Sequence, residues 1–129
     1  MRATASVDID APLTLVRDVI VDFAAYPSFL ETTTRVEVLS AGSDRWEVRF
    51  WLRLVREIAY TLELVERPGP VPGSLRIEWT LVQGAFRAND GCWELTSEGP
   101  DRTRALYEVD LKLGMYVPRS ILNSILEVS

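Results

Sequence analysis

The sequence has no histidine and a single cysteine, Cys92. Without histidine, the commonest general base is gone, and with it the Ser-His and Cys-His nucleophile pairs. Imidazole is also lost as a metal ligand, so a zinc site of the usual N/S type is not expected. One cysteine forms no internal disulfide, which fits a reducing compartment. There is no excess of basic residues: Lys and Arg number 14 against 19 Asp and Glu, for a net charge of -5. That works against broad nucleic-acid binding, which needs a basic stripe to displace counterions. No run approaches the roughly 20 apolar residues that cross a bilayer. The opening "MRATASVDIDAP" has no apolar stretch of the secretory kind. No phosphate loop or dinucleotide fingerprint is present. These absences lead to the expectation of a cytoplasmic protein with no transmembrane segment, no metal, no cofactor, no direct nucleic-acid contact and no assigned catalytic residue.

What is present is 129 residues, 47% of them hydrophobic. That length fits one domain spanning 1–129. A chain of this size buries roughly 68% of the surface its unfolded form exposes, enough to stand without staples.

Period-two alternation dominates. Ala3, Ala5, Val7 and Ile9 mark a first, half-buried strand. Asp10-Ala11-Pro12 reads as a helix start with Pro12 in the first turn. Leu15, Val16, Val19, Ile20 and Phe23 then follow at helical spacing. Pro27 disfavours helical geometry at Tyr26 and predicts the stop there, with a short turn over Ser28 to Leu30. Val36 and Val38 mark a second strand. Trp46, Val48, Phe50 and Leu52 form the inward face of a third, and Ile58, Tyr60, Leu62 and Leu64 that of a fourth. Leu75, Ile77, Trp79 and Leu81 belong to a fifth, Gly91, Trp93 and Leu95 to a sixth, and Tyr107, Val109, Leu111 and Leu113 to a seventh. "AGSD", "RPGPVPGS" and "SEGPDR" separate them as turns and loops. Ile121, Leu122, Ile125 and Leu126 after Pro118 recur at helical spacing. This last helix reaches Ser129 after about three turns with no cap, which reads as a helix cut short.

Clean alternation with one wet face means an antiparallel sheet. The expected fold is α+β: a curved antiparallel sheet of about seven strands around a C-terminal helix, with a broken helix after the first strand.

Three stretches carry a resemblance: "DIDAPLTLVRDVIVDFAAYPSFL", "WTLVQGAFRANDGCWEL" and "ALYEVDLKLGMYVPRSIL". In order and motif they resemble the START-related, birch-pollen-allergen-like superfamily of helix-grip proteins. Within it they look like the polyketide-cyclase/dehydrase and coenzyme-Q-binding branch, which also contains a ribosome-association toxin. Ala85 stands where that branch usually has the proline of a "GPF" turn. The resemblance implies a cavity between sheet and C-terminal helix that takes lipids, isoprenoids or polyketides, with the helix break framing its entrance. On that reading Tyr26 and Phe29 lie at the rim and Phe23 turns inward.

The expected cavity lining is Phe23, Tyr26, Phe29, Trp46, Phe50, Tyr60, Leu62, Ile77, Trp79, Trp93, Tyr107, Val109, Ile121 and Ile125. Individually the rings also read as ordinary core. Arg49, Arg53 and Arg56 read as a solvated outer face or an anion-binding edge. Trp51 shares that face and reads either as a protein or membrane contact or as an isolated exposed ring. "NDG", Asn89 to Gly91, reads as a turn. Asp22 has no matched acid or base, and "ETTT" before the second strand reads as a strand start. Cys92 falls on the outer face with no evident cationic neighbour and reads as structural. Three functions follow: a binder or carrier of a small hydrophobic ligand such as an isoprenoid quinone or lipid, a polyketide cyclase/aromatase, or a ribosome- or protein-associated regulator whose partner docks near Trp51 and Arg53.

Overall fold

The computed structural model describes residues 1–114. The expected C-terminal helix, with Ile121 and Ile125, lies outside the described residues. The first strand, β1 (Arg2–Ile9), leads into a helix, α1 (Leu13–Val21), and a 3₁₀ segment, η1 (Phe23–Ser28). Six strands follow: β2 (Thr33–Ala41), β3 (Arg45–Arg53), β4 (Glu57–Pro68), β5 (Ser74–Gly84), β6 (Phe86–Ser97) and β7 (Thr103–Leu113). They form one curved seven-stranded sheet in the order β1-β7-β6-β5-β4-β3-β2, every pair antiparallel. Among the described residues, no helix is long and apolar enough to cross a membrane.

Alternation puts the core where the sequence placed it. Val48, Phe50, Leu52, Ile58, Leu62, Leu64, Ile77 and Val109 are buried on the inner face. The outer face carries ion pairs between neighbouring strands, such as Arg45–Glu63 at 2.6 Å and Arg76–Glu94 at 2.9 Å. Such half-wetted pairs contribute little each. β1 is an edge strand, and its inward Ala5 and Val7 stay exposed.

The helical segment departs from expectation. Pro12 is the N-cap in extended geometry, one residue before the helix, and not part of its first turn. α1 ends at Val21, because Asp22 turns out of helical geometry with its N–H bonded to the Val19 carbonyl at 3.3 Å. Pro27 does not terminate this helix. It sits inside η1, whose i→i+3 pattern tolerates the missing donor in so short a run. Phe23 therefore starts a new segment and drops into the core, 5.8 Å from Trp46 and 6.3 Å from Phe50 between ring centroids.

A second departure is "NDG". These residues form no turn; they lie within β6, paired with β7 from Asn89↔Leu111 to Gly91↔Val109. The ladder between β5 and β6 stops at Trp79↔Gly91. Past that point the Asp90 carboxylate accepts the Leu81 backbone N–H at 3.3 Å. A side-chain bond thus stands in where the two strands part.

Candidate functional site

The concave side of the sheet encloses a cavity of about 410 Å³ beneath α1 and η1. This falls within the roughly 300–1,000 Å³ of small-molecule sites. The helical side of the wall is Val19, Ile20, Phe23, Tyr26 and Phe29, continued by Leu30 and Thr33. β3 and β4 contribute Phe50, Leu52, Tyr60, Leu62 and Leu64. Trp79, Asn89, Trp93 and Tyr107 close it from β5, β6 and β7.

Of the lining expected from the sequence, Phe23, Tyr26, Phe29, Phe50, Tyr60, Leu62, Trp79, Trp93 and Tyr107 come together here. Trp46, Ile77 and Val109 do not border the cavity; they are buried in the same core cluster as the lining residues. Trp46 has Phe23 on its edge and the Arg17 guanidinium over its ring at 5.6 Å. Phe29 is 57% exposed while Phe23 is 2% exposed, which places one ring at the opening and the other at the floor. Val19 is likewise exposed yet borders the cavity.

Sequence reasoning passed over Val19, Ile20, Leu30, Leu52 and Leu64 in favour of the rings around them, although periodicity marked most of them as inward. It also passed over Thr33 and Asn89. The turn-like "NDG" concealed Asn89.

The rings hold one another in place. Phe50 stacks on Tyr60 at 5.3 Å, and Tyr60 meets Phe86 edge-on at 4.9 Å. Tyr107 lies between Trp79 at 5.6 Å and Trp93 at 4.9 Å. Each such pair contributes ~0.5–1.5 kcal/mol beyond burial. Two glycines leave space for them. A Cβ on Gly91 would come within 2.5 Å of the Trp79 ring. Gly84, at φ +132°, passes so close to Tyr60 that a Cβ would lie 2.4 Å from its Cα.

The polar atoms in the wall are few. The Tyr26 hydroxyl donates to the Ile20 carbonyl and ties η1 back to α1. The Trp79 indole N–H donates to Asn89 Oδ1 at 3.1 Å. Burial pushes the phenols of Tyr26, Tyr60 and Tyr107 well above their ordinary value, so all three are neutral hydroxyls. Among the described residues no group of three or more His, Cys, Asp or Glu side chains is placed to hold a metal ion.

The outer face is different in kind. Trp51 lies there, as its parity predicts, with the Arg35 and Arg49 guanidiniums over its ring at 4.5 and 5.1 Å. Cys92 is also on that side but buried, and it does have a cationic neighbour: Arg76 Nη2 lies 3.1 Å from its sulfur. Burial outweighs that guanidinium and pushes the thiol up, away from reactivity.

Residues 9–128 match the family described as polyketide cyclase / dehydrase and lipid transport. No curated protein matches the chain. Several solved structures share the fold. A START superfamily protein from Mycobacterium smegmatis superposes with a TM-score of 0.78 at 18% identity, over 98% of this chain and 90% of that one. The STAR-related lipid transfer protein from Xanthomonas axonopodis gives 0.81 at 15% identity, over 98% and 77%. The Zhui aromatase/cyclase from Streptomyces sp. R1128 gives 0.75 at 18% identity, over 99% and 83%.

Proposed function

Because this chain belongs to the polyketide cyclase/dehydrase and lipid transport family, we propose that it binds and carries a small hydrophobic molecule in the cavity under α1 and η1. The observation that carries this reading is the cavity itself, about 410 Å³ walled by aromatic and aliphatic side chains. Moving apolar surface into it stabilises a complex by roughly 25 cal/mol per Å² before association costs are subtracted. Phe29 and Val19 border the opening, and Phe23, Phe50, Tyr60 and Leu62 form the interior. An isoprenoid quinone, a lipid tail or a polyketide-like molecule has the chemistry this lining accepts.

The alternative is a polyketide cyclase/aromatase, the activity named for the Streptomyces relative. It is favoured by the hydroxyl and amide groups in the wall. The phenols, however, are held protonated by burial, so they position a carbonyl better than they remove a proton. Carriage is therefore the preferred reading.

Native mass spectrometry of the protein incubated with fluorene tests it. A one-to-one adduct is expected, and Leu62→Phe, which fills part of the cavity, weakens it. An adduct untouched by that substitution in a folded variant, or no adduct at all, overturns the reading. Incubation with a poly-β-ketone is expected to return the compound unaltered; a ring-closed product would favour the cyclase.

A further inference from the structure

We propose that Asn89 is the specificity-determining residue of the cavity, selecting neutral ligands that carry a carbonyl or comparable acceptor oxygen. The inference rests on the ligand-binding reading above.

The argument begins with the orientation of one amide. Asn89 is only 7% exposed and lines the cavity. Its neighbour Trp79 donates an indole N–H to Asn89 Oδ1 at 3.1 Å. An indole nitrogen only donates, so the amide cannot be turned the other way without setting donor against donor. The end left over is the N–H2. Among the described residues it has no hydrogen-bond partner. It is not among the sealed, unpartnered side-chain atoms of the structure, so it stays accessible from the cavity that Asn89 lines, where an acceptor can meet it.

Two more hydroxyls share this property. Tyr60 and Tyr107 line the same cavity, are buried, and have no hydrogen-bond partner among the described residues. A phenol donates or accepts, whereas the Asn89 N–H2 only donates. The unmet capacity is therefore biased toward donors, and its complement is an acceptor oxygen. None of the described lining residues carries a charge. A carboxylate or phosphate drawn to this depth would lack compensation. A ketone, quinone-type or ester oxygen on an apolar skeleton fits; a charged head group does not.

The register explains how the group is held. Asn89, Gly91 and Trp93 alternate inward along β6, and Gly91 pairs with Trp79. The missing side chain at Gly91 lets the Trp79 ring lie against β6. From there its nitrogen reaches Asn89 and fixes the amide.

The test uses a matched pair, fluorene and 9-fluorenone, which differ in a ring CH2 against a carbonyl. Affinities are measured by quenching of tryptophan fluorescence for wild type and Asn89→Leu, a near-isosteric change. On substitution, 9-fluorenone is expected to bind about five- to tenfold more weakly, within the range of one lost hydrogen bond. Fluorene affinity stays within twofold. Using each probe's change between variants cancels the difference in their transfer from water. If both probes weaken together, or neither does, Asn89 only pins Trp79 and the proposal falls. If neither probe binds wild type, the underlying binding reading falls with it. The carbonyl stretch of 9-fluorenone bound to wild type gives a second readout that needs no variant. It is expected at lower frequency than in hexane, and a hexane-like band overturns the proposal.

Discussion

Gly91 lies directly across the ladder from Trp79, and a Cβ there would approach the indole ring to 2.5 Å and the Glu108 carbonyl oxygen to 2.3 Å. The backbone contact leaves no room to relax by side-chain rotation alone. Gly91→Ala is expected to destabilise the fold by about 1–3 kcal/mol, the usual range for overpacking. Urea unfolding followed by circular dichroism measures it, and an unchanged midpoint would show that the ring has another seat.

Phe29 allows the cavity opening to be probed without risk to the core. Being 57% exposed, it contributes little to stability, so Phe29→Ala is expected to change the unfolding free energy by no more than about 0.5 kcal/mol. Fluorene affinity is expected to fall about fivefold, as contact with the ring is lost. Affinity equal to wild type would remove Phe29 from the binding surface.

Alkali attacks the cavity wall specifically. Burial raises the phenols of Tyr26, Tyr60 and Tyr107 above their ordinary 10.0. The folded chain keeps protons there that the unfolded chain releases. The stability this protects is complete below about pH 10 and is lost as the pH rises beyond it. Tyr60→Phe should flatten the alkaline slope by about 1.4 kcal/mol per pH unit. Absorbance at the phenolate band, followed with near-ultraviolet circular dichroism, should show the buried tyrosines ionising together with loss of the fold. Ionisation near the ordinary value in a folded protein would contradict this.

α1 is tied to β4 by Arg17 Nε and Glu66 Oε1 at 2.6 Å, both side chains about a quarter exposed. Hydrogen bonding to Glu66 raises the already high basicity of the arginine. Glu66→Gln is expected to cost up to about 1 kcal/mol, and added salt should narrow the gap between variant and wild type. A thermal midpoint that does not move would leave the pair without energetic weight.

Most of the sheet was legible because its physics is local. Phe50 and Leu52, or Tyr60 and Leu62, sit two apart and must share a face. The end of α1 was not legible, since Asp22 carries no glycine or proline signal and the nearby Pro27 offered a more obvious stop. Asn89 was obscured for a tertiary reason. "NDG" has the composition of a turn, but pairing with β7 overrides it, while the glycine answers to Trp79, twelve residues earlier in the chain. Trp46 and Phe50 are both aromatic and share one face, yet only Phe50 reaches the cavity. Parity fixes the face but not the depth along it.

The two strands that flank the helical segment are the two outermost strands of the sheet: β1 at one margin, β2 at the other. The stretch from α1 through η1 is thus a handle fastened to both rims of a basket, not a flap hinged on one side. Tyr26 and the loop into Thr33 cannot swing clear while both fastenings hold. Among the described residues, widening the opening therefore means drawing the rims apart or loosening one rim strand. On the proposed binding reading, the size of guest admitted depends on how far the sheet can uncurl.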